Sequence, residues 1–189
     1  KTVSVEGCRP LLHNGTHNVD LAFYLCGAEP QRVSGFLNQE EVADPGGGGV
    51  ITCSNGVRIF VNCVAERREW FDQVIITGSD GRLQWSERTS EWSYGPLVER
   101  PGAPYNAEYE LQSIPDMPTS FDATSFFYWA ARESIDCLLE DRESVSTGRD
   151  GLKALEAITA MHISHQTGAW VPTPLATGLD HFEIRSTGK

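Results

Sequence analysis

The chain has 189 residues, 40% of them hydrophobic, with a formal net charge of −11 and a pI near 4.8. That length implies one domain able to bury roughly 70% of its extended surface. The acidic balance, with no basic cluster larger than Arg67-Arg68, argues against nucleic acid and anionic membranes as partners. No apolar run approaches bilayer-spanning length.

Five cysteines (Cys8, Cys26, Cys53, Cys63 and Cys137) form no CxxC pair and sit mostly among apolar neighbours. They read as reduced core residues, as in a cytoplasmic protein. The chain starts at Lys1, without Met, inside an expected strand over 2–6, so it is expected to be cut from a longer polypeptide. Asn14-Gly15-Thr16 matches a glycosylation sequon, which without a signal peptide is a chance match.

Residues 8–15 read as a connecting loop and 15–26 as an amphipathic helix. Asn14 is the expected N-cap, its side-chain oxygen taking an orphan N–H, and Gly27 stands where a left-handed C-terminal cap belongs. Val19, Ala22, Phe23 and Cys26 form one apolar stripe, while His17, Asp20 and Tyr24 share the other side. With Asn14 as cap, His17 falls in the first turn, where the helix dipole disfavours imidazolium. A neutral imidazole can accept a proton from a substrate hydroxyl, and Asp20 can hold the other ring nitrogen. The same spacing also suits a solvated polar face without chemistry. His13 and His17, four apart, are spaced like two zinc ligands, but no third and fourth ligand follow at recognisable spacing, so no metal is expected.

Further on, Val33, Gly35 and Leu37 alternate against Arg32, Ser34 and Phe36, which predicts a strand. The run Asp44-Pro45-Gly46-Gly47-Gly48-Gly49 reads as a flexible loop. A phosphate cradle needs a strand before it and a helix after it; here a strand over 50–53 follows, so phosphate binding is rejected. Asn55-Gly56 predicts a hairpin turn into a strand over 57–64, with Val57, Ile59, Val61 and Cys63 on one face and Arg58, Phe60, Asn62 and Val64 on the other. The charged connection Glu66-Arg67-Arg68-Glu69 leads to strands over 70–77 and 82–85, turned at 78–81. Tight turns between successive strands imply an antiparallel sheet. Prolines punctuate 86–118, where two short strands are expected near 90–98 and 106–112.

From Ser120, an expected cap, the period becomes helical to about Glu140. Phe127, Ala130, Ser134 and Cys137 or Leu138 are expected to pack on the sheet, beside an aromatic load of Phe121, Phe126, Tyr128 and Trp129. Thr147 and Asp150 offer capping oxygens for a second helix carrying Leu152, Leu155, Ile158 and Met161 and ending near Gly168. His162 and His165 read as helix-end residues, where the dipole favours protonated histidine. Trp170-Val171-Pro172 starts an exit strand.

The motifs Leu11-Leu12-His13-Asn14-Gly15-Thr16-His17-Asn18-Val19-Asp20-Leu21, Ile76-Thr77-Gly78-Ser79-Asp80-Gly81-Arg82-Leu83 and Gly148-Arg149-Asp150-Gly151-Leu152-Lys153-Ala154-Leu155-Glu156 carry a resemblance when taken in order. Together the chain resembles, from Thr2 to about Leu175, the C-terminal domain of the glucose–fructose oxidoreductase / inositol dehydrogenase family, written Gfo/Idh/MocA. The resemblance implies an α+β fold: an open, mostly antiparallel β-sheet with helices packed on one face, like the C-terminal domain of dihydrodipicolinate reductase. It implies a substrate-binding and oligomerisation domain over 1–175 and a tail over 176–189.

In that family a Rossmann domain binds NAD(P) and supplies a catalytic lysine, while the C-terminal domain binds part of the substrate and its open sheet commonly forms the oligomer interface. The family's histidine after the glycine corresponds to His17, the expected catalytic residue. Its following aspartate corresponds to Asp20, and His13 stands where a carboxylate is frequent; His13, Asn14 and Asp20 are the expected substrate contacts. The full-length protein is thereby expected to be an NAD(P)-dependent oxidoreductase of a sugar, polyol or related hydroxy compound. The cofactor, NAD or NADP, would be bound by a Rossmann domain absent from this chain, which alone should be inactive. A homo-oligomer through the open sheet is expected, with Phe60 and Trp85 as candidate patch residues. Two further readings are a non-catalytic sheet-mediated interaction module and a stand-alone sugar-binding relative.

Overall fold

Period-two patterning builds a sheet of ten strands among the residues described by the computed structural model, namely 1–7, 10–38, 44–63, 72–89, 91–102, 107–114 and 123–176. The strands are β1 (Thr2–Gly7), β2 (Pro30–Leu37), β3 (Gly47–Cys53), β4 (Arg58–Cys63), β5 (Asp72–Thr77), β6 (Gly81–Ser86), β7 (Glu91–Glu99), β8 (Ala107–Tyr109), β9 (Gln112–Ser113) and β10 (Val171–Pro172). They lie in the order β10-β2-β3-β4-β1-β5-β6-β7-β8, with β9 also paired to β7. β1 runs parallel to β4, and every other pair described is antiparallel. The parallel pair arises because the chain's first strand occupies the middle of the sheet, and a helix carries it across to the edge where the β2–β3–β4 hairpins form. The charged connection 66–69, the expected cap Ser120 and the tail beyond 176 lie outside the described residues.

Alternation decides the faces. Val3, Val5, Val33, Ile51, Ile59, Val61 and Val74 turn to one side and are almost wholly buried. They meet Val19, Ala22 and Phe23 of α1 (Thr16–Cys26) and Ala154, Ala157, Ile158 and Met161 of α3 (Gly148–Thr167). Fully burying one such aliphatic side chain stabilises by roughly 1.5–3 kcal/mol. The opposite face carries Arg58, Phe60 and Asn62 of β4, and register sets Phe60 beside Ser4 and Val50. The open α+β sheet with helices on one face is thus the observed architecture.

α3 begins and ends as its sequence predicts. The Thr147 hydroxyl oxygen accepts the Asp150 N–H at 3.3 Å, and the Asp150 carboxylate accepts the Thr147 N–H at 2.9 Å, which is a reciprocal cap. Gly168, at φ 67°, closes the other end in the left-handed conformation glycine tolerates best.

Four expectations of the fold are overturned. Gly47–Gly49 are not a flexible loop but the start of β3, threaded between β2 and β4. A Cβ on Gly48 would land on the Val61 carbonyl oxygen, and one on Gly49 on that of Ser34, so the glycines permit close strand approach. Trp85 pairs with Val74 and therefore faces the helix-covered side, opposite Phe60; the two cannot share a patch. In α3, Leu152 is half exposed, while Ile158 and Met161 are buried together with the small Ala154 and Ala157. His162 lies before the last turn and is 5% exposed, and burial pushes its imidazole below the usual 6.5, against the protonated form expected at a helix end. His165 accepts the Leu37 N–H through Nδ1 at 3.3 Å, a bond that needs that nitrogen unprotonated.

The fourth concerns α2 (Ala123–Glu140), which makes no sizeable contact with the sheet or the other helices among the described residues. Phe127 is 79% and Leu138 83% exposed. A helical period locates an apolar stripe but not the body that covers it.

A candidate substrate cleft on helix α1

The helix run begins earlier than expected. Pro10 is the last extended residue, and Leu11–Gly15 wind as one π-helical turn that passes directly into α1. The N–H groups of Asn14 and Gly15 both reach the Pro10 carbonyl, at 3.2 and 3.1 Å. Residues 11–15 are therefore not a loop, and Asn14 is not the N-cap, because it already lies inside the helix. The cap comes from Asp44, 32 residues after Leu12 in the chain, which accepts the N–H groups of Leu12 and His13 through its two carboxylate oxygens, both at 2.8 Å. The positive end of the helix therefore acts on Asp44. His17 sits in the second turn, beyond the reach of a field that fades within the first. Single π turns inside helices are frequent at functional sites.

Beyond that turn the side chains divide by face. Val19, Ala22 and Phe23 enter the core, and Asn18, also buried, donates to the Asp72 carboxylate at 3.2 Å, tying α1 to β5. His17 (exposed), Asp20 (half-buried) and Tyr24 (exposed) point the other way. They line a cleft of about 420 Å³ whose far wall is Val145, Asp150 and Lys153 at the entry to α3. That volume lies in the range of small-molecule sites. The structure thus brings His17 and Asp20 to one cleft, although no hydrogen bond joins them among the described residues. His13, exposed one turn earlier, is outside its lining, and Asn14 is buried with its Nδ2 lacking a partner.

The cleft also holds charges that no local pattern announced. Lys153 Nζ donates to Glu29 at 2.7 Å, across 124 residues of chain, and lies 3.7 Å from Asp150. The bond to Glu29 raises the Lys153 pKa. The Thr147 hydroxyl, donating to Asp150, holds that carboxyl below its usual value. An imidazole, a phenol, carboxyl groups and an ammonium around one opening suit a ligand rich in hydroxyls. The two helix starts nearby, α1 and α3, are each closed by a carboxylate, Asp44 and Asp150, which repels rather than receives a phosphate.

An open, mostly antiparallel sheet with helices on one face and a polar cleft on the first helix places the chain among α+β domains. A sequence profile described as the oxidoreductase family, C-terminal alpha/beta domain (Gfo/Idh/MocA) matches residues 4–173, and the chain belongs to that family. No curated protein matches the sequence. Among solved structures the chain is similar to levoglucosan dehydrogenase in complex with NADH and levoglucosan, at 15% identity and TM-score 0.72, covering 92% of this chain and 58% of that one. It is similar to an oxidoreductase domain protein from Kribbella flavida, at 16% identity and TM-score 0.70 with the same coverage. It is also similar to UDP-N-acetylglucosamine 3-dehydrogenase from Acidithiobacillus ferrooxidans, at 17% identity and TM-score 0.65, covering 88% and 55%. At such identities the likeness shows the fold, and the chain spans somewhat more than half the length of these proteins.

Proposed function

We propose that the chain is the substrate half of an NAD(P)-dependent dehydrogenase acting on a sugar, polyol or related hydroxy compound. The observation that carries this reading is the placement of His17 and Asp20 on one face of α1, lining an open cleft of small-molecule size. Family membership supports an oxidoreductase, and the similar proteins solved with NADH and levoglucosan, or named for a nucleotide sugar, support a carbohydrate substrate. His17 accepts the proton of the substrate hydroxyl as the carbon beneath it is oxidised, and returns it when a ketone is reduced. Asp20 holds a neighbouring hydroxyl, and His13, exposed one turn earlier and outside the cleft lining, meets a substrate that extends past it.

The nicotinamide supplies the electron acceptor. The carboxylates closing both nearby helix starts do not fit its pyrophosphate, which supports a Rossmann domain of the same polypeptide as the main holder of NAD or NADP. By this reading the domain occupies 1–175, the 189-residue chain alone turns over nothing, and two copies join through the open sheet face. Cys26, Cys53 and Cys137 are free thiols among the described residues, which supports a cytoplasmic setting. No helix among the described residues is long and apolar enough to cross a membrane.

The test is His17→Ala in the full-length enzyme, assayed with nicotinamide cofactor against a panel of sugars and polyols. Loss of its proton acceptor should lower kcat by roughly 100-fold or more. Undiminished turnover removes His17 from the chemistry.

A further inference from the structure

We propose that Cys26 and Cys53 are a thiol pair oxidised by hydroperoxides, with Cys26 as the sulfur that reacts and Cys53 as the one that resolves it into a disulfide. The pair lies at the opposite end of α1 from His17 and is independent of the hydroxyl chemistry assigned there.

The fold brings the two side chains together. Cys26 is the last residue of α1, and Gly27, left-handed at φ 59°, turns the chain so that Pro30 pairs with Cys53 across β2 and β3. Two bonds hold this turn against the β3–β4 hairpin. Asn55 Nδ2 donates to the Cys26 carbonyl at 3.1 Å, and the Ser54 N–H donates to the Glu29 carbonyl at 2.9 Å. Within that frame Cys53, 1% exposed, is part of the core, and Cys26 packs on the core from a half-buried position. The two thiols hydrogen-bond to each other.

They are chemically unequal. The bond from Cys53 draws the Cys26 thiol down to about 7, with burial opposing and the Ala28 N–H and the Lys153 ammonium assisting. As the donor, Cys53 is held up by the same bond and by its burial. A partly accessible cysteine of low pKa beside a resolving one is the pattern of a redox-responsive site. Residues on either side of Cys26, Tyr24 and Gly27, line the cleft, so a peroxide meets Cys26 before it meets Cys53. In a reducing compartment such a disulfide is transient, which is the usual form of a redox-sensing one.

The Cys26 thiolate attacks one oxygen of the hydroperoxide. An S–O bond forms, the O–O bond breaks, and the departing oxyanion takes up the proton that Cys26 had given to solvent. The resulting sulfenic acid no longer carries the anion that held the Cys53 proton in place. The Cys53 sulfur then attacks Cys26 Sγ: the S–S bond forms, the S–O bond breaks, and hydroxide leaves with the Cys53 proton as water. The two sulfurs together lose two electrons, and the hydroperoxide gains them.

The test treats the reduced full-length protein with hydrogen peroxide at pH 7, blocks the remaining thiols with iodoacetamide and maps its peptides by mass without reductant. The expected result is a linked Cys26–Cys53 peptide pair that dithiothreitol separates. Cys137 is the internal control: it is half-buried like Cys26, but burial and the Glu133 carboxylate raise its thiol above the ordinary 9.0. Thiolate fraction then favours Cys26 by about 50-fold, and its weaker intrinsic nucleophilicity removes about eightfold of that, so Cys26 should oxidise roughly sixfold faster or more. In Cys53→Ala, which keeps a small apolar side chain in the core, dimedone should trap Cys26 as the sulfenic acid. The inference is overturned by a parent without the linked peptide, by Cys26 joined to a different cysteine, or by Cys137 oxidised as fast as Cys26. A folded Cys53→Ala protein whose Cys26 ignores dimedone overturns it as well. The parent measurement needs no substitution, so it decides the matter even where Cys53→Ala does not fold.

Discussion

A single carboxylate, Asp44, does for the leading end of the helix run what Asn14 was expected to do. Capping by a distant residue leaves no local signature, which is why the sequence could not reveal it: Asn14 had the right chemistry and stood next to the right apolar stripe. Two charge-assisted bonds at 2.8 Å should make Asp44→Ala cost about 1–2 kcal/mol, read as a lower urea midpoint at unchanged slope. Asp44→Asn keeps one acceptor and should recover about half of the loss. An Ala variant as stable as the parent would mean that water caps the helix equally well. The division of α1 into an apolar stripe and a His17–Asp20–Tyr24 face was legible, because both depend only on the 3.6-residue period. Lys153 and Glu29 were not, because their meeting is fixed by tertiary packing.

Elements whose partners lie close in sequence were the ones that could be read. The Asn55-Gly56 hairpin and the Thr147–Asp150 capping box form as expected, since each is closed by bonds across a few residues. The glycine run was misjudged because glycine serves both a loose loop and a strand squeezed between neighbours. α3 shows the same limit: its period was visible, yet the burial of His162 depends on what the helix is pressed against. The sign of the resulting pH effect follows from that burial. The folded-state pKa of His162 is lowered chiefly by desolvation, with His165 adding to the effect and Asp44 opposing it. Stability from keeping this ring neutral is therefore fully present above the unfolded value near 6.5 and is lost as pH falls through the folded value. His162→Leu should flatten the stability profile below pH 6.5 relative to the parent, measured by urea unfolding at a series of pH values. Parallel profiles would show that the ring takes up its proton as readily folded as unfolded.

At the scale of the molecule, the two sheet faces have different destinations. One is filled by α1 and α3; no helix packs on the other among the described residues, and association through it is the proposed route to an oligomer. Edge-to-edge pairing is the alternative, but the edges are poor templates: β10 is two residues long and includes Pro172, and β8 is three residues long, the kind of short edge that discourages strand addition. The bare face is better suited. Register places Phe60 beside Val50 and, across Ser4, in line with Ile75, while Glu6 and Asn62 bond to each other at 3.3 Å. An apolar centre among paired polar groups matches the composition of association surfaces. Phe60 is 42% exposed, so a charge there costs the free subunit little, whereas in a closed face-to-face contact it would be buried without a partner. Phe60→Glu should therefore shift sedimentation of the full-length protein to a smaller species, with the far-ultraviolet dichroism of the parent retained. An unchanged sedimentation coefficient would move the subunit contact off this face and leave the bare sheet for some other cover.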